Sequence, residues 1–243
     1  MRITRRTLLA STAGALGLAQ ARIPDRLVVL TFDDGPVSHA TFVAPLLKKY
    51  DFGATFFICE FPPNFADKSM YMSWEQMASL HEMGFEVGNH TIAHKGVARS
   101  TRAEFDQALA DLEKKAYALG IPKMVSFAYP SYTYNDMAIE VLKAHGYKYA
   151  RTGLDRNYDP KTDSPYVIPG FTANSENRPA ILKALDEAKD GHITVLTFHG
   201  VPDKEHPWVT LAPEMFEDYL GVLKEKRFTA IALRDLEKYL GTA

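Results

Sequence analysis

The sequence predicts an α/β protein in which a parallel sheet closes into a barrel, and three observations support this fold class. Short apolar segments alternate with amphipathic helical segments along residues 22–243, a pattern typical of repeated strand–helix units. The apolar segments are continuous, as expected of parallel strands that are covered on both faces. Seven such segments without a glycine-rich dinucleotide loop favour a closed barrel over an open, doubly wound sheet.

Seven strands are predicted, each from a short run rich in apolar, aromatic and β-branched residues. They lie at residues 27–32, 54–59, 85–88, 124–129, 147–151, 193–198 and 228–232. In a barrel of parallel strands the working residues lie at the carboxyl ends of the strands. The residues that follow each run are therefore the candidates for function.

The helices between these strands have recognisable ends. Ser73 with Gln76, and Thr101 with Glu104, have the spacing of a capping box, in which side chain and backbone exchange hydrogen bonds at the first turn. Pro213 opens the last long helix, because proline fits the first helical turn. Strand and helix signals therefore alternate in the order that the predicted fold requires.

Composition limits the class of protein. The chain has 243 residues, with 28 Lys+Arg against 30 Asp+Glu and a formal net charge of −2, so no basic surface for nucleic acid is expected. Its single cysteine, Cys59, excludes an internal disulfide bond and a cysteine-rich zinc site. No linker or repeat divides residues 22–243, which we interpret as one catalytic domain.

Residues 1–21 differ from the rest and are predicted to be a signal peptide. Arg5 and Arg6 precede an apolar run at 8–18 that is too short to span a membrane, and residues 19–21 match a signal-peptidase site. The arginine pair followed by two leucines resembles a twin-arginine export signal. The alternative is an ordinary secretory signal with an incidental arginine pair. We expect an exported protein, periplasmic or extracellular, without a membrane-spanning segment.

Ionisable side chains follow three of the predicted strands: Asp33 and Asp34 the first, His90 and His94 the third, and His199 the sixth. Two histidines four residues apart lie on one turn of a helix, and this spacing allows both to bind one metal ion. With an acidic partner the pair predicts a site for a divalent cation. Taken alone, the two aspartates could form an acidic turn, and His199 could be a half-buried residue bonded to the backbone.

Four segments together resemble the NodB-homology polysaccharide deacetylases, carbohydrate esterase family 4. They are Thr-Phe-Asp-Asp-Gly-Pro at 31–36, His-Thr-Ile-Ala-His at 90–94, Phe-Ala-Tyr-Pro at 127–130 and Leu-Thr-Phe-His at 196–199. They occur in the order of the family, and the resemblance extends over residues 25–240. It implies a distorted, TIM-like (β/α)7 barrel, one divalent metal ion, and hydrolysis of acetyl groups on a glycan, with the N-acetyl groups of glucosamine-type sugars as the first expectation.

The resemblance also assigns roles: Asp34, His90 and His94 are the metal ligands, Asp33 is the general base and His199 the general acid. The chemistry agrees, because a metal ion lowers the pKa of a bound water from near 16 to about 7 and a free carboxylate can then take its proton. Histidine suits protonation of the leaving amine near neutral pH. Zinc is the expected metal, and cobalt, manganese or nickel would also suit this ligand set.

The third segment contributes predicted substrate contacts. Pro130, Ser131 and Tyr132 follow the fourth strand, where the Ser131 N–H is expected to face the oxyanion. Many family members have an arginine, which orients the base, where this sequence has Ala128. We hypothesise that Arg151, at the end of the fifth strand, supplies the missing guanidinium to Asp33 and lies in the substrate-binding region.

The sequence is also compatible with other functions. An O-acetyl esterase of the same fold acting on xylan-type substrates, and a non-catalytic glycan-binding barrel, are the alternatives. A retaining glycosidase would need two carboxylates about 5–5.5 Å apart across the scissile bond, which is awkward for sequence neighbours. Phe61 is a further candidate for the cleft wall, and Trp208, in the long loop after His199, could either stack on a sugar or cover the core. The expected partner is an acetylated glycan, and the sequence makes no prediction of oligomeric state.

Overall fold

The computed structural model describes residues 23–240, and eight parallel strands form its centre. In chain order they are β1 (Leu27–Phe32), β2 (Thr55–Ile58), β3 (Glu86–Asn89), β4 (Ser126–Ala128), β5 (Tyr149–Leu154), β6 (Ile168–Thr172), β7 (Thr194–Phe198) and β8 (Thr229–Ile231). They pair in the order β2-β3-β4-β5-β6-β7-β1-β8, and β1 pairs with β2 as well, which closes the first seven into a ring. The predicted (β/α)7 barrel is confirmed.

The ring is distorted where it closes, because β1 has two neighbours on one side. Residues 27–29 of β1 pair with β8, whereas Thr31 and Phe32 pair with β2. The backbone N–H of Gly53, just before β2, donates to the carbonyl of Ala230 in β8 at 3.0 Å. Strand β8 is therefore inserted between β1 and β2 at the amino end of the barrel, and the ring closes at the carboxyl end.

Each of the seven predicted strands overlaps an observed one, but the last of them, at 228–232, is β8 and lies outside the ring. The seventh strand of the ring is β6, which the sequence analysis missed. Its sequence contains Pro169 and Gly170, and both residues weaken the strand pattern. It pairs with β7 through Phe171 and Thr172, at its carboxyl end.

Helices cover the outside of the ring. They are α1 (Ala44–Tyr50), α2 (Trp74–Glu82), α3 (Arg102–Ala118), α4 (Asp136–His145), α5 (Arg178–Asp186), α6 (Pro213–Glu225) and α7 (Glu237–Leu240). Both predicted capping boxes are present, at Ser73 and Thr101. A π-helical turn, His39–Val43, leads into α1, and short 3-10 turns lie at Asn64–Ala66, Val97–Arg99, Pro130–Tyr132 and Leu233–Leu236. Helix α5 had not been predicted.

Alternate residues of the strands build two apolar layers. In β1, Val28 and Leu30 belong to the large buried cluster that includes the helices, and Val29 belongs to a smaller cluster on the opposite face. That smaller cluster also contains Phe57 of β2 and Leu233 of the last 3-10 turn. The inside of the ring is therefore packed with side chains at its amino end, and the carboxyl end is left for polar groups.

A buried carboxylate attaches the C-terminal turn to the barrel. Glu86 Oε2 accepts hydrogen bonds from Thr55 Oγ1 at 2.6 Å and from the Arg234 backbone N–H at 2.8 Å. Glu86 Oε1 is buried without a partner, and burial raises the pKa of this residue. Glu86 therefore joins β2, β3 and the chain beyond β8 at a point far from the strand ends that hold Asp33.

In the described part of the chain, no helix is both long and apolar enough for a bilayer crossing. The predicted signal peptide, residues 1–21, lies outside the described residues. The predicted domain at 22–243 corresponds to the barrel as far as residues 23–240 describe it.

Candidate metal centre and active site

Asp33 and Asp34 lie where β1 leaves the sheet. The Asp33 N–H donates to the Phe198 carbonyl at 2.9 Å and so continues the pairing of β1 with β7. The backbone then turns, with φ of 72° at Asp34 and 70° at Gly35, a left-handed conformation that glycine tolerates best. The turn directs the two neighbouring carboxylates to different partners. Both side chains are almost completely buried.

His90 and His94 come from an irregular loop after β3, and the predicted helical turn is wrong. Thr91 and His94 have left-handed backbones with φ of 60° and 50°. Asn89 stabilises the loop, because its Oδ1 accepts a hydrogen bond from the Thr91 N–H at 2.8 Å. The loop nevertheless brings both imidazoles to one carboxylate: the Nε2 atoms of His90 and His94 lie 3.3 and 3.2 Å from Asp34 Oδ1.

The hydrogen bonds around this cluster test whether it fits a metal ion. His90 Nδ1 lies 2.8 Å from the Ala128 carbonyl, an acceptor, so Nδ1 carries a proton and Nε2, which faces Asp34, is the nitrogen that can bind a metal ion. Asp34 Oδ1 is buried and has no hydrogen-bond donor. One ligand atom from each of Asp34, His90 and His94 lies within 4.8 Å of the other two. Lone pairs that converge on a buried point fit a divalent cation.

Electrostatics support the same conclusion. Burial opposes ionisation of Asp34, but the facing imidazoles of His90, His199 and His94 outweigh it and hold the pKa of Asp34 well below its usual range. Burial and the neighbouring His90 lower the pKa of His94 to about 4, so this ring is neutral at pH 7 and available as a ligand. Burial also lowers the pKa of His90, but the carboxylates of Asp33 and Asp34 raise it by more. The pocket therefore favours a positive charge, which a proton or a metal ion can supply.

Asp33 binds an arginine inside the barrel. Arg151 Nη2 donates to Asp33 Oδ1 at 2.6 Å and also to Oδ2, as the sequence hypothesis required. The guanidinium lies between the rings of Phe57 and Tyr132, with its carbon 5.5 and 5.4 Å from their centroids. Gly170 leaves room for it, because a Cβ there would lie 3.4 Å from Arg151 Cδ. Asp33 is thereby held on the arginine, and its Oδ2 also lies 3.9 Å from His90 Nε2.

His199 follows β7 and completes the cluster. Its Nε2 lies 3.9 Å from Asp34 Oδ2, and its side chain has only a small exposed area. His39, which the sequence analysis did not single out, is completely buried, with Nε2 2.9 Å from the His199 carbonyl. Burial lowers the pKa of His39 to about 4, so the ring is neutral and donates through Nε2–H. This bond fixes the backbone that presents His199, and no local sequence pattern reveals it.

The model of the family described as "Polysaccharide deacetylase" matches residues 20–150. The chain belongs to this family. It is 24% identical to a peptidoglycan-N-acetylglucosamine deacetylase of Bacillus cereus over 216 residues, which cover 88% of this chain and 90% of that protein. It is 26% identical over 179 residues to a poly-beta-1,6-N-acetyl-D-glucosamine N-deacetylase of Staphylococcus epidermidis, covering 69% of this chain and 61% of that one.

Solved structures agree on the fold of this polysaccharide deacetylase family member. A family 4 acetyl xylan esterase from Clostridium thermocellum, in complex with a cobalt ion, superposes with a TM-score of 0.62 at 20% identity, covering 89% of this chain and 93% of that one. A family 4 domain of a multidomain xylanase from the hindgut metagenome of Trinervitermes trinervoides gives a TM-score of 0.64 at 19% identity, covering 90% and 93%. The predicted family and barrel are thus confirmed.

Four residues were predicted to contact the substrate, and the side chains of two of them, Ser131 and Tyr132, are at least partly exposed. Ser131 is exposed and, like Tyr132, has a left-handed backbone, with φ of 54° and 58°. Tyr132 is half-buried, with its hydroxyl 2.6 Å from Thr172 Oγ1. Pro130 and Arg151 are buried. Neither side chain has surface to offer a glycan in this structure, and Arg151 pairs with Asp33, so the predicted glycan contact of these two residues stays a prediction.

Three aromatic side chains lie beside the candidate metal ligand His94, and they are Phe61, His206 and Trp208. We call these three residues the aromatic rim. The Phe61 ring centroid is 4.6 Å from that of His94 and 4.9 Å from that of His206, and Trp208 lies 5.3 Å beyond His206. Trp208 is 69% exposed. The alternative in which Trp208 covers the core is therefore wrong, and the loop after β7 forms one wall of the site.

Proposed function

We propose that the chain hydrolyses acetyl groups on a glycan, with the N-acetyl groups of glucosamine-type sugars as the main substrate. Asp34, His90 and His94 would hold one divalent metal ion, with zinc as the first candidate and cobalt, manganese or nickel also suitable. The observation that carries the proposal is that the neighbouring carboxylates of Asp33 and Asp34 contact different partners. Asp34 faces two imidazole nitrogens at 3.2–3.3 Å, whereas Arg151 holds Asp33 apart as a free base.

A divalent ion at this site would lower the pKa of water to about 7 and polarise the acetyl carbonyl. The residues of the chain supply the other functions. Asp33 is paired with the Arg151 guanidinium, and we assign it as the base that accepts a proton from the attacking water. Arg151 contacts both carboxylate oxygens and thereby fixes the direction of the base.

His199 faces Oδ2 of Asp34, whereas His90 and His94 face Oδ1, and we assign His199 as the general acid. Its Nε2 is 3.9 Å from Asp34 Oδ2, close enough to reach a leaving group at the same centre. When an imidazole protonates the departing nitrogen, the sugar leaves as a neutral amine and not as a high-energy amide anion. The exposed turn at Ser131 supplies the backbone N–H that we propose for the oxyanion.

The relatives support an acetylated amino sugar as the substrate. The Bacillus cereus and Staphylococcus epidermidis proteins are named as deacetylases of N-acetylglucosamine polymers. The Clostridium thermocellum structure, an acetyl xylan esterase, keeps O-acetyl xylan as the second candidate. The export pattern in residues 1–21 leads us to propose further that the glycan lies outside the cytoplasm.

An acetate-release screen tests the proposal. We expect release from N-acetylglucosamine oligomers, poly-N-acetylglucosamine or peptidoglycan above that from acetylated xylan, and loss of release on chelation with recovery when metal is returned. Asp34→Ala and His90→Ala should lose both metal and turnover, whereas Asp33→Asn should retain metal and lose turnover. His192→Ala is the matched control, because that histidine is exposed and distant from Asp34.

Acetate release that persists in Asp34→Ala and His90→Ala would contradict the metal role. Oligosaccharide binding without acetate release from any substrate in the screen would instead support the non-catalytic glycan-binding barrel. A higher rate on acetylated xylan than on every N-acetylated substrate would favour the O-acetyl esterase. Each outcome is read from the same purified protein with its metal content measured.

A further inference from the structure

The aromatic rim continues outward from a proposed metal ligand to the surface. The chain of rings begins at His94, whose Nε2 faces Asp34, and passes through Phe61 and His206 to Trp208 in steps of 4.6, 4.9 and 5.3 Å. Tyr71 stacks on Phe61 with an interplanar angle of 8° and supports it from behind. The rim therefore forms a continuous surface that starts at the reacting centre and ends in solvent.

The loop that carries Trp208 is held in place by its own hydrogen bonds. The buried carboxylate of Asp203 accepts from the backbone N–H groups of Gly200, Glu205 and His206 at 3.2, 3.0 and 2.8 Å. Asn64 Nδ2 donates to Glu205 Oε2 at 2.7 Å, which joins this loop to the segment after Phe61. The two loops that carry the rim are thus fixed relative to each other before any ligand arrives, and a fixed surface loses little entropy on binding.

Trp208 differs from the other tryptophan of the chain. The Trp74 indole N–H donates to Glu60 Oε1 at 2.8 Å, and that ring packs on the main core. Trp208 is 69% exposed and meets His206 at an interplanar angle of 72°, so at least one face of the indole is free. A large rigid ring that stays in water beside a concave site is the kind of group that binds a partner with an apolar face.

We propose that the aromatic rim binds a second sugar ring of the substrate, adjacent to the one that bears the acetyl group, with Trp208 as the stacking residue. The inference rests on the proposed function, and it narrows the substrate class to a chain of pyranoses. Rings with equatorial substituents, as in gluco- and xylo-configured polymers, present axial C–H groups to an aromatic face. A monosaccharide could occupy the reacting centre but could not reach Trp208.

Tryptophan fluorescence tests this separately from catalysis. The chelated protein is titrated with N-acetylglucosamine and xylose oligomers of one to six units. We expect the tryptophan emission to change when the hexamer of either N-acetylglucosamine or xylose is added, and to stay unchanged when the corresponding monomer is added. The response should vanish in Trp208→Phe and persist in Trp74→Phe. Calorimetric titration of Trp208→Ala should show about tenfold weaker hexamer binding and unchanged monomer binding, while Tyr117→Ala, a second exposed aromatic on α3, should bind as the parent does.

A hexamer response that survives in Trp208→Phe, equal affinity in Trp208→Ala, or no hexamer binding in either series would overturn the inference. These results are distinguishable from failure of the proposed function. If Trp208→Ala leaves acetate release unchanged, the proposed sugar binding at the aromatic rim is rejected and the deacetylase function stands. If oligomer binding depends on Trp208 but no acetate is released, the sugar binding stands and the deacetylase function is rejected.

Discussion

Replacement of Arg151 by methionine tests both the stability of the barrel and the orientation of its base. The side chains of Arg151 and Asp33 are 0% and 1% exposed, so water screens neither charge. Removal of the guanidinium leaves a buried carboxylate without a counter-charge, and breaking such a pair from one side costs about 3–5 kcal/mol. A domain of ordinary stability, about 5–15 kcal/mol, would lose a large part of its free energy of unfolding.

The double variant Arg151→Met/Asp33→Asn provides the decisive comparison. It removes both charges together, so we expect it to recover about 0.5–3 kcal/mol relative to Arg151→Met alone, the usual range of coupling between contacting groups. Urea unfolding of the parent, both single variants and the double variant measures this coupling. If the two single losses simply add, the ion pair does not contribute the energy that its burial implies.

The same position separates charge from geometry. Arg151→Lys keeps a positive charge, but its flexible ammonium lacks the planar guanidinium that lies beside Phe57 and Tyr132 and presents one nitrogen, Nη2, to both oxygens of Asp33. We therefore expect milder destabilisation than with methionine and a clear fall in kcat. Acetate release measured at saturating substrate is the assay. Undiminished turnover in Arg151→Ala, in protein that remains folded, would show that Asp33 needs no partner to act.

Three further predictions concern other positions. His199→Ala should lower kcat at least about 100-fold with unchanged metal content, measured by acetate release and metal analysis. Gly88→Ala should cost about 1–3 kcal/mol in urea unfolding, because its Cβ would lie 2.5 Å from Phe57 Cδ1; Gly221→Ala, where no atom lies within 4 Å, is the control and should not destabilise. Burial raises the pKa of Glu86, so the folded state favours the neutral acid and the parent loses stability as pH rises through that pKa. Glu86→Gln should therefore gain stability relative to the parent as the pH rises above 4.5, the ordinary pKa of this group, toward its raised value in the folded state, by about 1.4 kcal/mol per unit of pKa difference. A constant difference across this rise would refute the reasoning.

The sequence predicted most of the barrel because its strands are short buried runs that differ clearly from the helices between them. Strand β6 escaped prediction because its register with β7 comes from partners far along the chain and not from its own residues, of which Pro169 and Gly170 argue against a strand. The strand at 228–232 was located correctly. Its insertion beside β1 is a matter of tertiary pairing, which local patterns do not encode.

The site shows the same division between local and distant information. The motif residues Asp34, His90 and His94 were found from spacing and family resemblance, and they do converge, although the loop geometry differs from the predicted helical turn. Arg151 was found only because strand ends concentrate function in barrels. His39 was missed because it contacts a backbone carbonyl 160 residues away, and no sequence motif marks such a partner.

Arg151 lies on strand β5 inside the barrel, and this position affects which parts of the fold can change without loss of activity. The base takes its alignment from β5 and from the space beside Gly170, whereas the aromatic rim belongs to loops after β2 and β7. The proposed base and the aromatic rim thus come from separate parts of the chain, whereas the proposed acid, His199, directly precedes the loop that carries Trp208. Exchange of the loop after β2 should therefore alter glycan choice without changing Asp33 or Arg151, while exchange of the loop after β7 must keep His199 in place.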